Sequence, residues 1–238
     1  MQNDVMESKI DAMRNEIYQN IQELRISQNA MTLDESRNDD LSSLHNSDTG
    51  SVYIRWGSQE CPDTADLVYT GHTASSSWDH IGGGSNYICL PDDSEYDDTK
   101  INPDIQNSRG FLFSVEYRPF EFPSLKEQEY NNAACAVCRA NRNTMLMIPA
   151  KLTCPMGWSR EYVGYLMSSS YDFKKSEFIC VDQSLASPFG QQVYRQQGSG
   201  LFLVETVCLD PDPNHYYGAL PCNQYPSGHE LPCVVCTM

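Results

Sequence analysis

Hydrophobic residues in the first 33 positions recur at steps of four and three over the first half of that stretch. The stripe consists of Met6, Ile10, Met13, Ile17, Leu24 and Met31, with Asn20 at one of its core positions. If Ile10 and every seventh residue after it are a positions, the stripe spans roughly four heptads, which is typical of a coiled coil. The stripe is narrow, so the pattern predicts a helix over residues 1–33 that associates with copies of itself, with Asn20 fixing register and strand number. A single amphipathic helix lying against the rest of the chain is the alternative.

The pattern changes after residue 33. Residues 34–50 are polar and turn-forming, which predicts a linker or the frayed end of the helix. From residue 51 onwards, short β-branched and aromatic runs are separated by clusters of Gly, Pro, Ser and Asp. Such runs are typical of strands bounded by turns, so the second region is predicted to be mostly β.

The β region repeats itself. Six landmarks occur twice in the same order. The first four are Cys-Pro at 61–62 and 154–155, Tyr-x-Gly at 69–71 and 162–164, a serine triplet at 75–77 and 168–170, and aromatic-Ile-Cys at 87–89 and 178–180. The last two are an apolar run that begins with Gly and ends in Val-Glu, at 110–116 and 200–205, and Cys-x-x-Cys at 135–138 and 233–236. We therefore predict a mainly β, disulfide-rich, tandemly duplicated domain, with repeats at 51–138 and 139–238, preceded by the N-terminal coiled-coil helix.

Ten cysteines, none in the first sixty residues, indicate a disulfide framework, an oxidising compartment and a secreted protein. The two Cys-x-x-Cys pairs lie too far apart for a compact zinc site and lack the helical setting of a redox motif. Bridging within each pair is also disfavoured, because positions i and i+3 of a strand point to opposite faces. Each member must then reach a different partner, and the sequence leaves those partners open. Cys208 and Cys222 have no counterpart in the first repeat and are expected to bond to each other.

Several stretches of the β region resemble the C-terminal globular domain of sponge and other invertebrate short-chain collagens. They are residues 53–57, 61–62, 82–91, 136–138, 145–150, 154–158, 164–167 and 233–237, and the resemblance covers about residues 51–238. More distantly, residues 148–165 are similar to the non-collagenous domain of basement-membrane type IV collagen, which is also a tandem duplication. The resemblance implies an extracellular, trimer-forming β domain at the end of a rod, although no Gly-X-Y repeat occurs in this chain. It also implies a nested disulfide pattern: Cys61–Cys138, Cys89–Cys135, Cys154–Cys236, Cys180–Cys233 and Cys208–Cys222.

Charge narrows the possible partners. The net charge is −16, from 32 acidic and 16 basic residues, which argues against nucleic acid and anionic membrane surfaces. No apolar run approaches the ~20 residues that span a bilayer. The N-terminus does not have the pattern of a signal peptide, so we expect that the leader of a secreted protein has been removed.

Candidate chemistry is sparse. Asp92, Asp93, Glu95, Asp97 and Asp98 form an acidic loop that is a weak candidate for calcium, but a solvated loop is favoured because the EF-hand pattern is missing. Asp79 and His80 stand beside a glycine triplet without a nucleophile elbow or a metalloprotease motif, so a turn is favoured there. We therefore expect no enzyme, no catalytic residue and no obligatory cofactor.

Two functions fit these features. The first is an extracellular structural or assembly protein, in which a collagen-type head on a coiled-coil stalk forms a homotrimer in matrix, filament or adhesive material. The alternative is a secreted, multivalent, lectin-like recognition protein. The expected partners are copies of the chain itself, and matrix proteins or glycans in addition.

Overall fold

The computed structural model describes residues 49–97, 109–120, 122–188, 198–208 and 220–238. The expected coiled-coil helix over residues 1–33 and nearly all of the expected linker lie outside the described residues. The same holds for the core positions of that helix, Met6, Ile10, Met13, Ile17, Asn20, Leu24 and Met31.

Residues Gly50–Met238 form one compact unit that is mainly β, as predicted. Its strands are β1 Ser51–Trp56, β2 Ala65–Ser75, β3 Ile88–Pro91, β4 Phe113–Arg118, β5 Ala134–Ala140, β6 Met145–Pro149, β7 Ser159–Ser168, β8 Ile179–Asp182, β9 Ser199–Leu203 and β10 Pro232–Thr237. A short 3-10 helix spans Pro123–Gln128.

The two halves of this unit repeat one another strand for strand. In the first half, β5 lies between β1 and β2, and β2 also pairs with β3 and β4. In the second half, β10 lies between β6 and β7, and β7 also pairs with β8 and β9. A β-bulge falls at the same place in both, where Val68 of β2 and Glu161 of β7 are the extra residues. The repeat in the sequence is therefore a repeat of topology and register.

One glycine in each half permits a close approach of two strands. A Cβ added to Gly71 would lie 1.8 Å from the carbonyl oxygen of Leu90, and one added to Gly164 would lie 1.7 Å from that of Val181. Both distances are far below contact, so β2 and β7 can lie against β3 and β8 only because these positions lack a side chain.

The halves join through two parallel contacts. Strand β1 meets β8 at Trp56 and Val181, and β4 pairs with β9 from Val115 opposite Ser199 onwards. As a result the pairings close into a cycle that runs β7, β8, β1, β5, β2, β4, β9 and back to β7. Strands β3, β6 and β10 attach to the outside of this cycle. Both apolar clusters of the core draw side chains from both halves, so the halves share one core.

All ten cysteines are paired. The bridges are Cys61–Cys138, Cys89–Cys135, Cys154–Cys236, Cys180–Cys233 and Cys208–Cys222, the same five pairs that the resemblance implies. Cys135 packs in one apolar cluster and Cys138 in the other, because their side chains leave opposite faces of β5. Each half is thus closed by two nested bridges, and the chain is disulfide-rich as predicted.

Candidate functional site

The contact of β1 with β7 and β8, here called the internal junction, joins the two halves through buried side chains. The rings of Tyr53 and Tyr162 stack with centroids 6.4 Å apart. Trp56 lies opposite Val181 and is 8% exposed, whereas Val181 is completely buried. Apolar surface of one half is therefore covered by the other half at this place.

A buried carboxylate lies within the internal junction. Glu161, whose side chain has no exposed surface, accepts hydrogen bonds from the Tyr53 hydroxyl at 2.9 Å and from Thr64 Oγ1 at 2.8 Å. It also accepts one from Arg142 Nη2 at 2.5 Å and one from the hydroxyl of Thr237. Burial on its own raises the pKa of Glu161, but these hydrogen bonds outweigh it and hold the pKa below its usual value. The charge is thus shared by partners from both halves.

A second ion pair fixes the register of the internal junction. The Arg55 guanidinium donates through Nε and Nη2 to Asp182 Oδ2, at 2.9 and 2.7 Å. It also lies 5.8 Å from the centroid of the Tyr162 ring. Since Arg55 belongs to β1 and Asp182 to β8, this pair links the halves as the apolar contact does.

The internal repeat leaves counterparts of this junction uncovered. By their cross-strand partners, Tyr53 corresponds to Leu146, Glu161 to Val68 and Val181 to Leu90. In β6, Met145 is 40% exposed and Leu146 is 42% exposed; these two residues form what is here called the β6 face. Leu67, Val68 and Leu90 are 52%, 55% and 37% exposed and form the β2–β3 face. Leu146, Val68 and Leu90 are thus exposed, whereas their counterparts in the other half are buried.

Among the described strands, β6 and β3 lie at edges of the pairing pattern. In the described pairings, β6 pairs only with β10 and β3 only with β2, whereas their counterparts β1 and β8 meet each other. Pro149 stands where the first half has Trp56, so one backbone donor is missing from that edge. If the β6 face of one chain met the β2–β3 face of another, the contact would therefore depend on apolar side chains more than on backbone hydrogen bonds between strands.

The described carboxylates of the acidic loop do not form a group that could hold a metal ion. Asp92 accepts a hydrogen bond from Thr70 Oγ1 at 3.1 Å and lies 3.1 Å from His72 Nε2. In the portion that the structure describes, no three His, Cys, Asp or Glu side chains are grouped so as to hold a metal. That portion includes Asp92, Asp93, Glu95 and Asp97 but not Asp98.

The pair Asp79–His80 lies in a turn, and Gly83 takes a positive φ of 99° there. Ser77 Oγ donates to Asp79 Oδ1 at 2.8 Å, and His80 Nε2 is 4.0 Å from that carboxylate. The rings of His80 and Phe113 pack in a T-shaped arrangement, with centroids 5.4 Å apart. The serine hydroxyl therefore donates to the acid, which is not the order that an activated nucleophile needs.

Sequence reasoning missed three features: the buried Glu161, the two uncovered faces, and a cleft beside Trp78 that is described below. One signal was available for the first. Aligning the repeats places Glu161 at the position of Val68. A charged residue in one repeat and an apolar residue in the other indicate a position where the repeats differ in burial.

No protein-family model matches the chain. Among the described residues, no helix is long and apolar enough to cross a bilayer.

Proposed function

We propose that this chain is a secreted assembly protein, in which a trimer-forming β head of the type that ends invertebrate short-chain collagens is carried on a coiled-coil stalk. The head would join chains in matrix, filament or adhesive material, and the chain would act by assembly rather than by turnover. The observation that carries the proposal is the pair of uncovered faces, which contain the counterparts of residues that form a junction inside the chain.

The internal junction is head-to-tail, because β1 of one half meets β7 and β8 of the other. A second chain can form the same kind of contact by setting its β2–β3 face against the β6 face of the first. Repeated head-to-tail contacts close into a ring when the rotation between units divides a full turn. Three chains would give a ring of six similar halves and would leave neither face uncovered.

Two further observations support three chains. The heptad pattern of residues 1–33 combines isoleucine at a with methionine and a polar Asn20 at d, which departs from the isoleucine-a, leucine-d preference of dimers. The resembled collagen head is itself trimer-forming. A stalk that holds three heads together raises their effective concentration, so modest contacts between heads are sufficient. Five disulfides support an extracellular location, since such bridges persist in oxidising compartments.

The test uses one variant of each face. The intact chain should have the mass of a trimer by light scattering, and a monomeric mass would contradict the proposal. In the head alone, residues 50–238, Leu146→Asp should disable the β6 face and Val68→Asp the β2–β3 face. Each variant alone should then fail to form trimers, while Tyr171→Asp, at a fully exposed position outside both faces, should not interfere.

Mixing the two face variants gives the sharper result. Each retains one intact face, so an equimolar mixture should yield a cross-linked dimer and no trimer. Trimers formed by either variant alone would show that these faces are not used.

The lectin-like alternative gains support from one observation, the cleft beside Trp78.

A further inference from the structure

The loops that follow the serine triplets of the two repeats meet at a cleft beside Trp78. It contains a cavity of about 230 Å³ and an adjoining one of about 180 Å³, and both are lined by Trp78 and Ser199. Backbone hydrogen bonds join the two loops, since the Lys174 N–H donates to the Trp78 carbonyl at 3.0 Å and the Glu177 N–H donates to that of Ser85, also at 3.0 Å. The cleft is therefore built jointly by both repeats and held by their backbones.

An aromatic surface lines this cleft. Trp78 is 39% exposed, although aromatic residues of this size usually bury most of their surface. Its ring lies against that of Phe173 with centroids 4.8 Å apart, and Phe173 lies in turn against Phe202 at 5.5 Å. The indole is thus packed against a neighbouring aromatic ring, and its exposed part can accept a flat apolar face of a ligand.

Hydroxyl groups converge on the same cavity. The Ser76 Oγ atom is buried and has no hydrogen-bond partner among the described residues. A Cβ added to Gly83 would lie 2.3 Å from that oxygen, so glycine at this position keeps the space beside the hydroxyl open. Ser199, which is also buried, lines the cavity from the other repeat. A serine hydroxyl donates one hydrogen bond and accepts two, which suits a ligand rich in hydroxyls.

The charge of the larger cavity is opposite to that of the chain. Lys174 and Lys175 line it, whereas no aspartate or glutamate is among its described lining residues. The chain as a whole carries −16, so two lysines at one cavity form a local exception. The adjoining cavity contains Glu116 and Arg118, 3.8 Å apart, and is therefore balanced in charge. An anionic group is attracted to the first cavity in preference to the second.

We propose that the Trp78 cleft binds the terminal acidic sugar of a glycan. Trp78 covers the C–H face of the ring, the serine hydroxyls bond its hydroxyls, and Lys174 and Lys175 bind its carboxylate or sulfate group. The larger cavity is below the ~300 Å³ at which pockets for drug-sized ligands begin, which fits one sugar ring. The adjoining cavity leaves space for the next sugar of the chain. This site is independent of trimer formation, although three copies in one particle would add avidity.

The binding test uses the intact chain and four probes: glucuronic acid, galactose 6-sulfate, galactose and inorganic sulfate. Saturation-transfer NMR and tryptophan fluorescence should show both acidic sugars binding with a Kd of about 1 mM. Galactose should bind at least about tenfold more weakly because it lacks the charged group. Equal binding of galactose and the acidic sugars would overturn the proposal, as would inorganic sulfate displacing them at equal concentration.

Variants locate the site. Lys174→Gln with Lys175→Gln should abolish the preference for acidic sugars, while Lys126→Gln, a lysine outside the cleft, should leave it unchanged. Ser76→Ala removes a single oxygen and should weaken all sugars several-fold without affecting the fold, as near-ultraviolet circular dichroism can verify. An unchanged ratio of acidic to neutral sugar binding in the double lysine variant would overturn the proposal, and so would an unchanged affinity in Ser76→Ala.

Discussion

Replacing Glu161 by glutamine tests whether the buried carboxylate holds the two halves together. The substitution keeps the shape of the side chain but removes its charge and turns one acceptor oxygen into a donor amide. Two groups donate to each carboxylate oxygen, Tyr53 and Thr64 to Oε2, and Arg142 and Thr237 to Oε1. The amide nitrogen cannot accept a hydrogen bond, so the hydroxyls on its side must turn and act as acceptors, and in either orientation Arg142 loses its charged partner.

The expected cost follows from this arrangement. Removing one partner of a buried ion pair costs about 3–5 kcal/mol, and the lower end applies because the Arg142 side chain is 25% exposed and can be solvated. For a domain of this size, about 3 kcal/mol lowers the Tm by roughly 6–12 °C. Glu60→Gln is the matched control, because its side chain is exposed and should move the Tm by no more than about 2 °C.

The dependence on pH gives a second, independent readout. Because the pKa of Glu161 is lower in the folded chain than its usual value of 4.5, its contribution is fully present above that pH and is lost as the pH falls through the lowered folded pKa. Thermal unfolding at a series of pH values, with the disulfides intact, should show the difference in Tm between wild type and Glu161→Gln shrinking below pH 4.5. A variant that unfolds within about 2 °C of wild type at pH 7 would refute this reasoning.

Three other predictions follow from the described geometry. Gly71→Ala and Gly164→Ala should each prevent folding or lower the Tm severely, because the new Cβ would overlap a backbone carbonyl. Gly110→Ala should be nearly neutral, since nothing lies within 4 Å of its Cβ position. Measuring expression and thermal unfolding of the three variants tests this. Burial raises the pKa of Tyr87 to about 12, so absorbance at 295 nm should show this tyrosine ionising at higher pH than a free tyrosine. Its contribution to the free energy of unfolding should be present below pH 10 and lost as the pH rises through 12. A tyrosine titration that is complete near pH 10 would contradict this. Peptide mapping without reduction should find the five bridges within single chains, and a bridge inside either Cys-x-x-Cys pair would contradict the structure.

The mainly β character and the disulfide-rich framework were readable from the sequence because both depend on local patterns. Alternating apolar runs between Gly and Pro clusters predict strands wherever they occur, and an even set of cysteines predicts bridging. The opposite directions of Cys135 and Cys138 also followed from strand geometry, since i and i+3 leave opposite faces. The coiled coil of residues 1–33 and the calcium candidate that includes Asp98 stay predictions.

Tertiary structure decided what the repeats do with their surfaces. The two copies are similar in pattern, so the sequence alone does not say that Tyr53 and Val181 are buried while their counterparts Leu146 and Leu90 are exposed. Nor does it bring Trp78 beside Lys174, because that contact joins loops almost a hundred positions apart. The physical reason is the same in both cases: local propensity sets the elements, whereas burial depends on which distant element covers a face. The sequence determined a duplicated, disulfide-linked β unit, and only the packing of one copy on the other determined which faces remain open to a partner.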